Sequence, residues 1–434
     1  MNDIEKPELR YAVNGRVSRK EVPLLLILLA CAYVISAIAV SNILGWNLIV
    51  RTIAGVYVIV HLLFLLARRI QIVKPNAVHL IFLTWSLLGI VGGYDTVHFV
   101  TLLSKLWTVL QLIIVTYFLY ALAIEAKSIR WLEWGYLFGV LVSSLWVFVE
   151  SGGQFGIERI AGTQENANLF AFVLIIGCTI SLNLLLQYRS IFIKCMLLCN
   201  AAILFLFILA TGSRKGVIGF FILLFIYSIA SVLSTVQGRR IRSLVYAGVG
   251  IALAIMVAFP MVVSSPHWGR FKNLKRYAEG RRLIVQERSL SDRMSLYSKG
   301  FELTMQNPFF GVGLDQFRYY NRNLRLTNYS HTYAHSNVIE VLADTGIIGF
   351  FIYYSAYALI AIRIMLRRRE PIYNLSRNYK LYAMSLGAII LLYDLFSVTY
   401  YSKEYWLCLA ILIYLSEIPK HLNGKSDARQ THLV

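Results

Sequence analysis

Apolar residues in this chain come in long unbroken blocks, without the one-sided stripes or strict alternation of a soluble fold. A helix needs about 20 apolar residues to cross a bilayer core, and roughly twelve blocks approach or reach that length. They fall at 22–41, 46–66, 77–92, 98–123, 131–149, 167–186, 193–210, 216–236, 243–263, 336–361, 381–398 and 405–415, the third and twelfth being short. The polar stretches between them are brief, with one exception after the ninth block. The pattern predicts an all-α integral membrane protein with about 12 transmembrane helices and one large outer loop containing short helices. The expected layout is an N-terminal segment (1–21), nine spans (22–264), the outer loop (265–335), three spans (336–418) and a tail (419–434). The basic stretch before Val22 enters a full-length span with no small-residue cleavage site, so no removable signal peptide is read.

Basic residues then set the orientation. With the N-terminus in the cytoplasm, the inner segments hold Arg16, Arg19 and Lys20, then Arg68 and Arg69, then Arg239 and Arg240, and the cluster from Arg363 to Lys380. The short outer loops hold only Arg159, the Arg214–Lys215 pair and Lys403. Long translocated loops are exempt from the rule. Both termini are therefore predicted to be cytoplasmic, with 265–335 on the outer face of the membrane.

Composition agrees: 58% of the 434 residues are hydrophobic and 15% charged, with a mean hydropathy of +0.63. The net charge of +20 reads as juxtamembrane Lys and Arg set against anionic headgroups. These residues are scattered over short loops, which argues against nucleic acid as a partner. Five cysteines, Cys31, Cys178, Cys195, Cys199 and Cys408, lie in or beside apolar blocks, so no disulfide framework is implied. Cys195 and Cys199 share a helix face and are read as packing residues.

Within the outer loop, Ser291 or Asp292 is placed to cap a helix running to about Gln306, with Asn307-Pro308 as its stop. Tyr297, Phe301 and Met305 would line one face, against the membrane surface or the bundle. Arg293 would sit in the first turn, where a cation opposes the helix dipole, which favours ligand contact for it. Gly311-Val312-Gly313 reads as a turn. Arg288 and the basic residues before it form a charged face that attracts anionic lipid or substrate.

Two residues stand out as chemistry. Arg214 lies in Thr211-Gly212-Ser213-Arg214-Lys215-Gly216, a tight break at the outer face. It is either a snorkelling helix-end cation or a diphosphate ligand, since a guanidinium fork binds two oxygens and keeps its charge. His335 lies at the outer boundary, followed by Glu340, Asp344, Gly346 and Gly349. It is either a helix cap or a base able to take a proton from a sugar hydroxyl near neutral pH. His331 lies four residues earlier, but no third ligand at sensible spacing supports zinc. Arg51 and Lys105 fall inside predicted spans, which implies a partner or a water-filled cavity. The stretch from Gly162 to Asn168 either caps the sixth span or lines a polar cavity with its amides.

The stretch from Ser291-Asp292-Arg293 through Asn307-Pro308-Phe309-Phe310-Gly311-Val312-Gly313, then Ala334-His335-Ser336-Asn337 through Thr345-Gly346-Ile347-Ile348-Gly349, resembles the signature domain of the O-antigen ligase and O-antigen polymerase superfamily. Thr211 to Arg214 resembles the family's other Arg-bearing turn, and Gly162 to Asn168 its Asn-containing outer loop. Ser336 departs from the pattern, since many members place Asn directly after the His. The resemblance implies a metal-independent, inverting glycosyltransferase of the all-helical membrane type (GT-C-like), with no cofactor. The implied donor is a glycan on undecaprenyl diphosphate at the outer leaflet. Arg214 and Arg293 would hold the leaving diphosphate, His335 would act as general base, and Arg288, Asn166, Asn168 and Asn337 would contact substrate. The implied partners are this donor, an acceptor glycan lipid, the surrounding membrane lipids and a chain-length regulator.

The acceptor stays open. A polymerase extends a lipid-linked repeat unit, which the motif wording slightly favours; a ligase transfers to lipid A–core. A protein O-oligosaccharyltransferase is a third member of the class. The rival of another class is a polysaccharide exporter or flippase using Arg51 and Lys105. It would call for a two-fold repeat, and none is visible.

Overall fold

The computed structural model describes residues 22–40, 46–150, 160–164, 166–234, 288–321, 332–366 and 373–417. The ninth span expected at 243–263, both chain ends and the loop segments 265–287 and 322–331, with His331, lie outside the described residues. Within them every regular element is a helix. The first eight are α1 (Leu24–Ala39), α2 (Trp46–Leu66), α3 (Ala77–Val91), α4 (Phe99–Glu125), α5 (Arg130–Glu150), α6 (Ala167–Gln187), α7 (Ile191–Ala210) and α8 (Arg214–Ser234). Five more follow: α9 (Arg288–Gln306), α10 (Phe317–Tyr320), α11 (Asn337–Leu366), α12 (Tyr373–Asp394) and α13 (Lys403–Glu417). Among the described residues six helices, α2, α4, α5, α6, α7 and α11, are long and apolar enough to cross a membrane. α1 and α3 are shorter apolar helices.

Side-chain patterning explains which helices sit inside. α13 is apolar on every side and is buried from Glu404 to Ser416, as expected of a helix enclosed by others. It packs on α4, while α6 packs on α7 and α12, and α1 on α2 and α5. α7 buries only Leu197, Leu204, Phe205 and Ile208. Cys195 and Cys199 are consequently exposed on its outer face and are not packing residues.

Two expected boundaries change. The span read at 381–398 is instead α12, which starts earlier and stops at Asp394, leaving 395–402 non-helical. Side chains replace the helical bonds there: Asn337 Oδ1 accepts from the amides of Thr399 at 3.0 Å and Tyr400 at 3.2 Å, and the Thr399 hydroxyl donates to Asp394. The loop helix starts at Arg288, not Ser291, so Arg293 lies in its second turn. α9 packs on α11 through Leu296, Gly300 and Leu303, whereas Phe301 and Met305 are exposed. A Cβ at Gly300 would run into Ile339, so the two helices cross closely at this point.

α11 is broken at Gly346, whose φ of 66° and ψ of −172° are not helical. The turn after α9 fills the gap. Val312 and Gly313 donate to the carbonyls of Ala343 (3.0 Å) and Asp344 (2.8 Å), and Ile347 donates to the Pro308 carbonyl (2.8 Å). Carbonyls and amides orphaned by the break are thereby satisfied. Added Cβ atoms at Gly346 or Gly311 would collide with the opposing backbone, and both residues have positive φ. The Asp344 carboxylate completes the joint by accepting from the amides of Asp315 (2.7 Å) and Phe317 (2.9 Å). Much of the glycine-rich signature is therefore a splice holding α9 against α11.

Candidate active site

A cavity of about 1350 Å³ lies where five helices begin, against the side of α4. Asn47 and Arg51 of α2, Lys105 of α4, Asn166 at the cap of α6, Lys215 of α8, His335 just before α11 and Lys403 of α13 all line it. Helix N-termini present unbonded amides and the positive end of the helix dipole. The side chains add to this: Arg51, Lys105, Lys215, Arg293 and Lys403 face only Asp292 and Glu404 among the acidic lining residues. Such a chamber concentrates anions.

His335 is held from both sides. Its φ of 56° puts it in the left-handed region, a strain of about 1–3 kcal/mol that persists only where neighbours enforce it. The preceding Ala334 amide donates to Glu340 Oε2 at 2.6 Å. The following Ser336 caps α11, its hydroxyl accepting from the Ile339 amide at 3.4 Å and its carbonyl from Glu340 N at 3.0 Å. Burial lowers the His335 pKa to about 4, with the Arg293 and Lys215 cations adding to the shift. The imidazole is thus neutral at physiological pH and has a lone pair to offer. It shares the cavity with both cations.

The two sides of the Arg214–Lys215 pair part company. Ser213 precedes the helix and its hydroxyl accepts from the Gly216 amide at 3.3 Å, starting α8 at Arg214. Successive helical residues point about 100° apart, and Lys215 lines the cavity whereas Arg214 is not among its lining residues. Lys215 also donates to Ser397 Oγ at 2.6 Å and to the Phe396 carbonyl, both in the non-helical 395–402 segment.

Asn166 and Asn168 resolve the alternatives left by the sequence in favour of both. Asn166 Oδ1 caps α6, accepting from Asn168 N at 3.1 Å and Leu169 N at 3.0 Å, and both side chains line the cavity. Asn168 Oδ1 also accepts from the Ser213 hydroxyl at 2.9 Å, tying the starts of α6 and α8 together. Asn337 is fully buried and its oxygen is taken up by the 395–402 segment, so it holds the scaffold instead of facing the cavity. Arg288 opens α9, and its side chain lies outside the described residues.

Sequence reasoning missed the role of Lys105. Its ammonium donates to the Tyr333 hydroxyl at 3.0 Å, lies 3.3 Å from Asp315 Oδ1 and stands over the Tyr401 ring at 3.9 Å. Arg318 donates to the other Asp315 oxygen at 2.6 Å. The available signal was a lone charge inside an apolar block. Its partners lie in the outer loop and in the short loop read between the last two blocks. Arg51 also lines the cavity.

Residues 199–354 match the family model described as O-antigen ligase. The match covers about a third of the chain, which is similar over that stretch to the O-antigen ligase family. The matched stretch contains Lys215, Arg293 and His335, together with the whole spliced joint between α9 and α11. The similarity fits the apolar helices, six of which among the described residues are long and apolar enough to cross a membrane. A comparison with curated proteins finds no match. Among the described residues, no three His, Cys, Asp or Glu side chains are grouped to hold a metal ion.

Proposed function

We propose that this protein is an inverting glycosyltransferase that polymerises surface-polysaccharide repeat units at the periplasmic face of the inner membrane. Its donor is a glycan on undecaprenyl diphosphate. The observation that carries this reading is the meeting of a neutral, restrained His335 with the Arg293 and Lys215 cations in one electropositive cavity. The acceptor hydroxyl attacks the anomeric carbon from the face opposite the diphosphate, forming the new glycosidic bond as the carbon–oxygen bond to phosphate breaks. His335 takes the hydroxyl proton. The electron pair leaves on the diphosphate, where fixed cations stabilise the transition state more than the ground state. Arg293 and Lys215 meet that charge within the cavity, while Arg214 supports the same turn. These cations take the place a metal ion would otherwise fill, so activity persists in EDTA.

The family description favours a second reading, ligation of the finished glycan to lipid A–core. One experiment separates the two. Purified protein in nanodiscs is given undecaprenyl-diphosphate-linked repeat unit alone, beside His335→Ala. A ladder of longer glycans, lost in the variant, supports polymerisation. No ladder until lipid A–core is added points to ligation. No transfer with either acceptor sinks the enzyme reading and favours an exporter.

A further inference from the structure

α9 is a largely polar helix with one exposed apolar stripe. A helix turns about 100° per residue, so Met294, Phe301 and Met305 fall within about 40° of one another, and all three are exposed. The face that packs on α11, through Leu296, Gly300 and Leu303, points the other way. A solvated flank lies between the two, where Lys299 pairs with Glu302 at 2.7 Å and Gln306 donates to the same carboxylate at 3.2 Å. The stripe does not end with the helix. Met305 is 79% exposed, and the turn that follows adds Phe309 at 63% and Phe310 at 40%. The amides of Ile347 and Ile348 donate to the Pro308 and Phe309 carbonyls, and Ile347, Ile348 and Phe351 of α11 are exposed in their turn. The apolar surface of α9 thus continues through the splice onto a helix of membrane-spanning length.

Distance along α11 sets the level of this surface. Arg363, paired with Glu417 and donating to Asn76 Oδ1 at 2.8 Å, marks one end of the spanning part, since a charge is held near the water boundary. At about 1.5 Å per residue, a hydrocarbon core of about 30 Å takes about 20 residues. Counted back from Arg363, that length reaches Ala343, where α9 and its turn are attached. The exposed phenylalanines therefore sit where hydrocarbon gives way to headgroups. We propose that α9 and its turn form a lipid anchor: Met305, Phe309 and Phe310 enter the leaflet on the cavity side, and the bilayer is the partner that the stripe fits. An apolar row on an otherwise polar helix is unfavourable in water and favourable at that boundary. Arg293 of the same helix lines the cavity, so the anchor fixes its height above the leaflet that carries the lipid-linked donor. This last step rests on the glycosyl-transfer reading; the anchor itself does not.

The test is photo-cross-linking. Full-length protein carrying p-benzoylphenylalanine in place of Met305, Phe309 or Glu302 is put into phosphatidylcholine nanodiscs, irradiated and read by intact mass. All three positions are exposed, so the fold accommodates the bulky side chain. Lipid adducts are expected at positions 305 and 309, with a several-fold lower yield at 302 on the solvated flank. Absence of lipid adducts at 305 and 309, equal yields at all three positions, or cross-links to the chain itself or to a second copy would overturn the anchor. Glycan transfer by wild type and Met305→Asp is measured in the same discs, with the thermal midpoint as a control on folding. A lower kcat/KM for the lipid-linked donor at an unchanged midpoint supports the placing of Arg293, and unchanged transfer overturns that step alone. Lipid adducts beside a wild type that transfers no glycan would keep the anchor and sink the enzyme reading.

Discussion

The Lys105 ammonium donates to the Tyr333 hydroxyl at 3.0 Å, two residues before His335. The same ammonium is one of two cations beside the buried Asp315. It therefore joins α4, the α9–α10 turn and the His335 segment at one point. Lys105→Met is expected to lower kcat by about 10²-fold, because a displacement of order 1 Å is enough to spoil an attack geometry. KM should change little, and Lys105→Arg should restore much of the rate. Initial-rate kinetics decide this: a raised KM with intact kcat would make Lys105 a substrate contact instead.

Charge alone does not suffice at Arg293. Arg293→Lys should lose most activity, since the bidentate fork goes while the charge stays; full removal should cost about 10²–10³ in kcat. Lys215 faces the cavity and Arg214 does not, so Lys215→Met should depress kcat/KM at least as far as Arg214→Met. The reverse ranking, measured with the same donor, would return the clamp to Arg214.

The pH dependence follows from the cause of the His335 shift. Burial and two cations hold its pKa at about 4 in the unliganded cavity. A diphosphate placed between Arg293 and Lys215 offsets their charge and favours the imidazolium, so the pKa rises on binding. The acid limb of kcat/KM, which reports free enzyme, should lie near pH 4, and that of kcat at higher pH. Coincident limbs in the two profiles would mean that the diphosphate does not reach these cations.

Gly346 tests the splice. Gly346→Ala puts a Cβ against the Phe309 backbone at a positive φ, at a cost of about 2 kcal/mol or more. The expected result is a lower midpoint in thermal unfolding of the detergent-solubilised protein, with loss of activity following the loss of fold. An unchanged midpoint would show that the turn after α9 does not need this break.

The patterning of the chain made the helices legible because spanning length and all-round apolarity are local properties. The blocks at 46–66, 98–123, 131–149, 167–186 and 193–210 correspond to α2 and α4–α7. Motif resemblance located His335 and Arg293, whose side chains do line the cavity. The sequence alone thus determined an all-helical architecture with helices of spanning length, and a resemblance that pointed to residues now found lining one cavity.

Tertiary structure decided what helical periodicity cannot. Lys215, next to the Arg214 that the sequence singled out, lines the cavity, because the bundle selects which direction of the helix is inward. Asn337 became a scaffold residue because its oxygen accepts two amides from a segment 62 and 63 residues away. The glycine-rich signature became a splice because the break at Gly346 is satisfied only by the turn from 308 to 313. The cavity itself, with five helix starts converging on it, exists only once the helices are assembled. Its electropositive character is the sum of N-termini and cations that lie far apart along the chain.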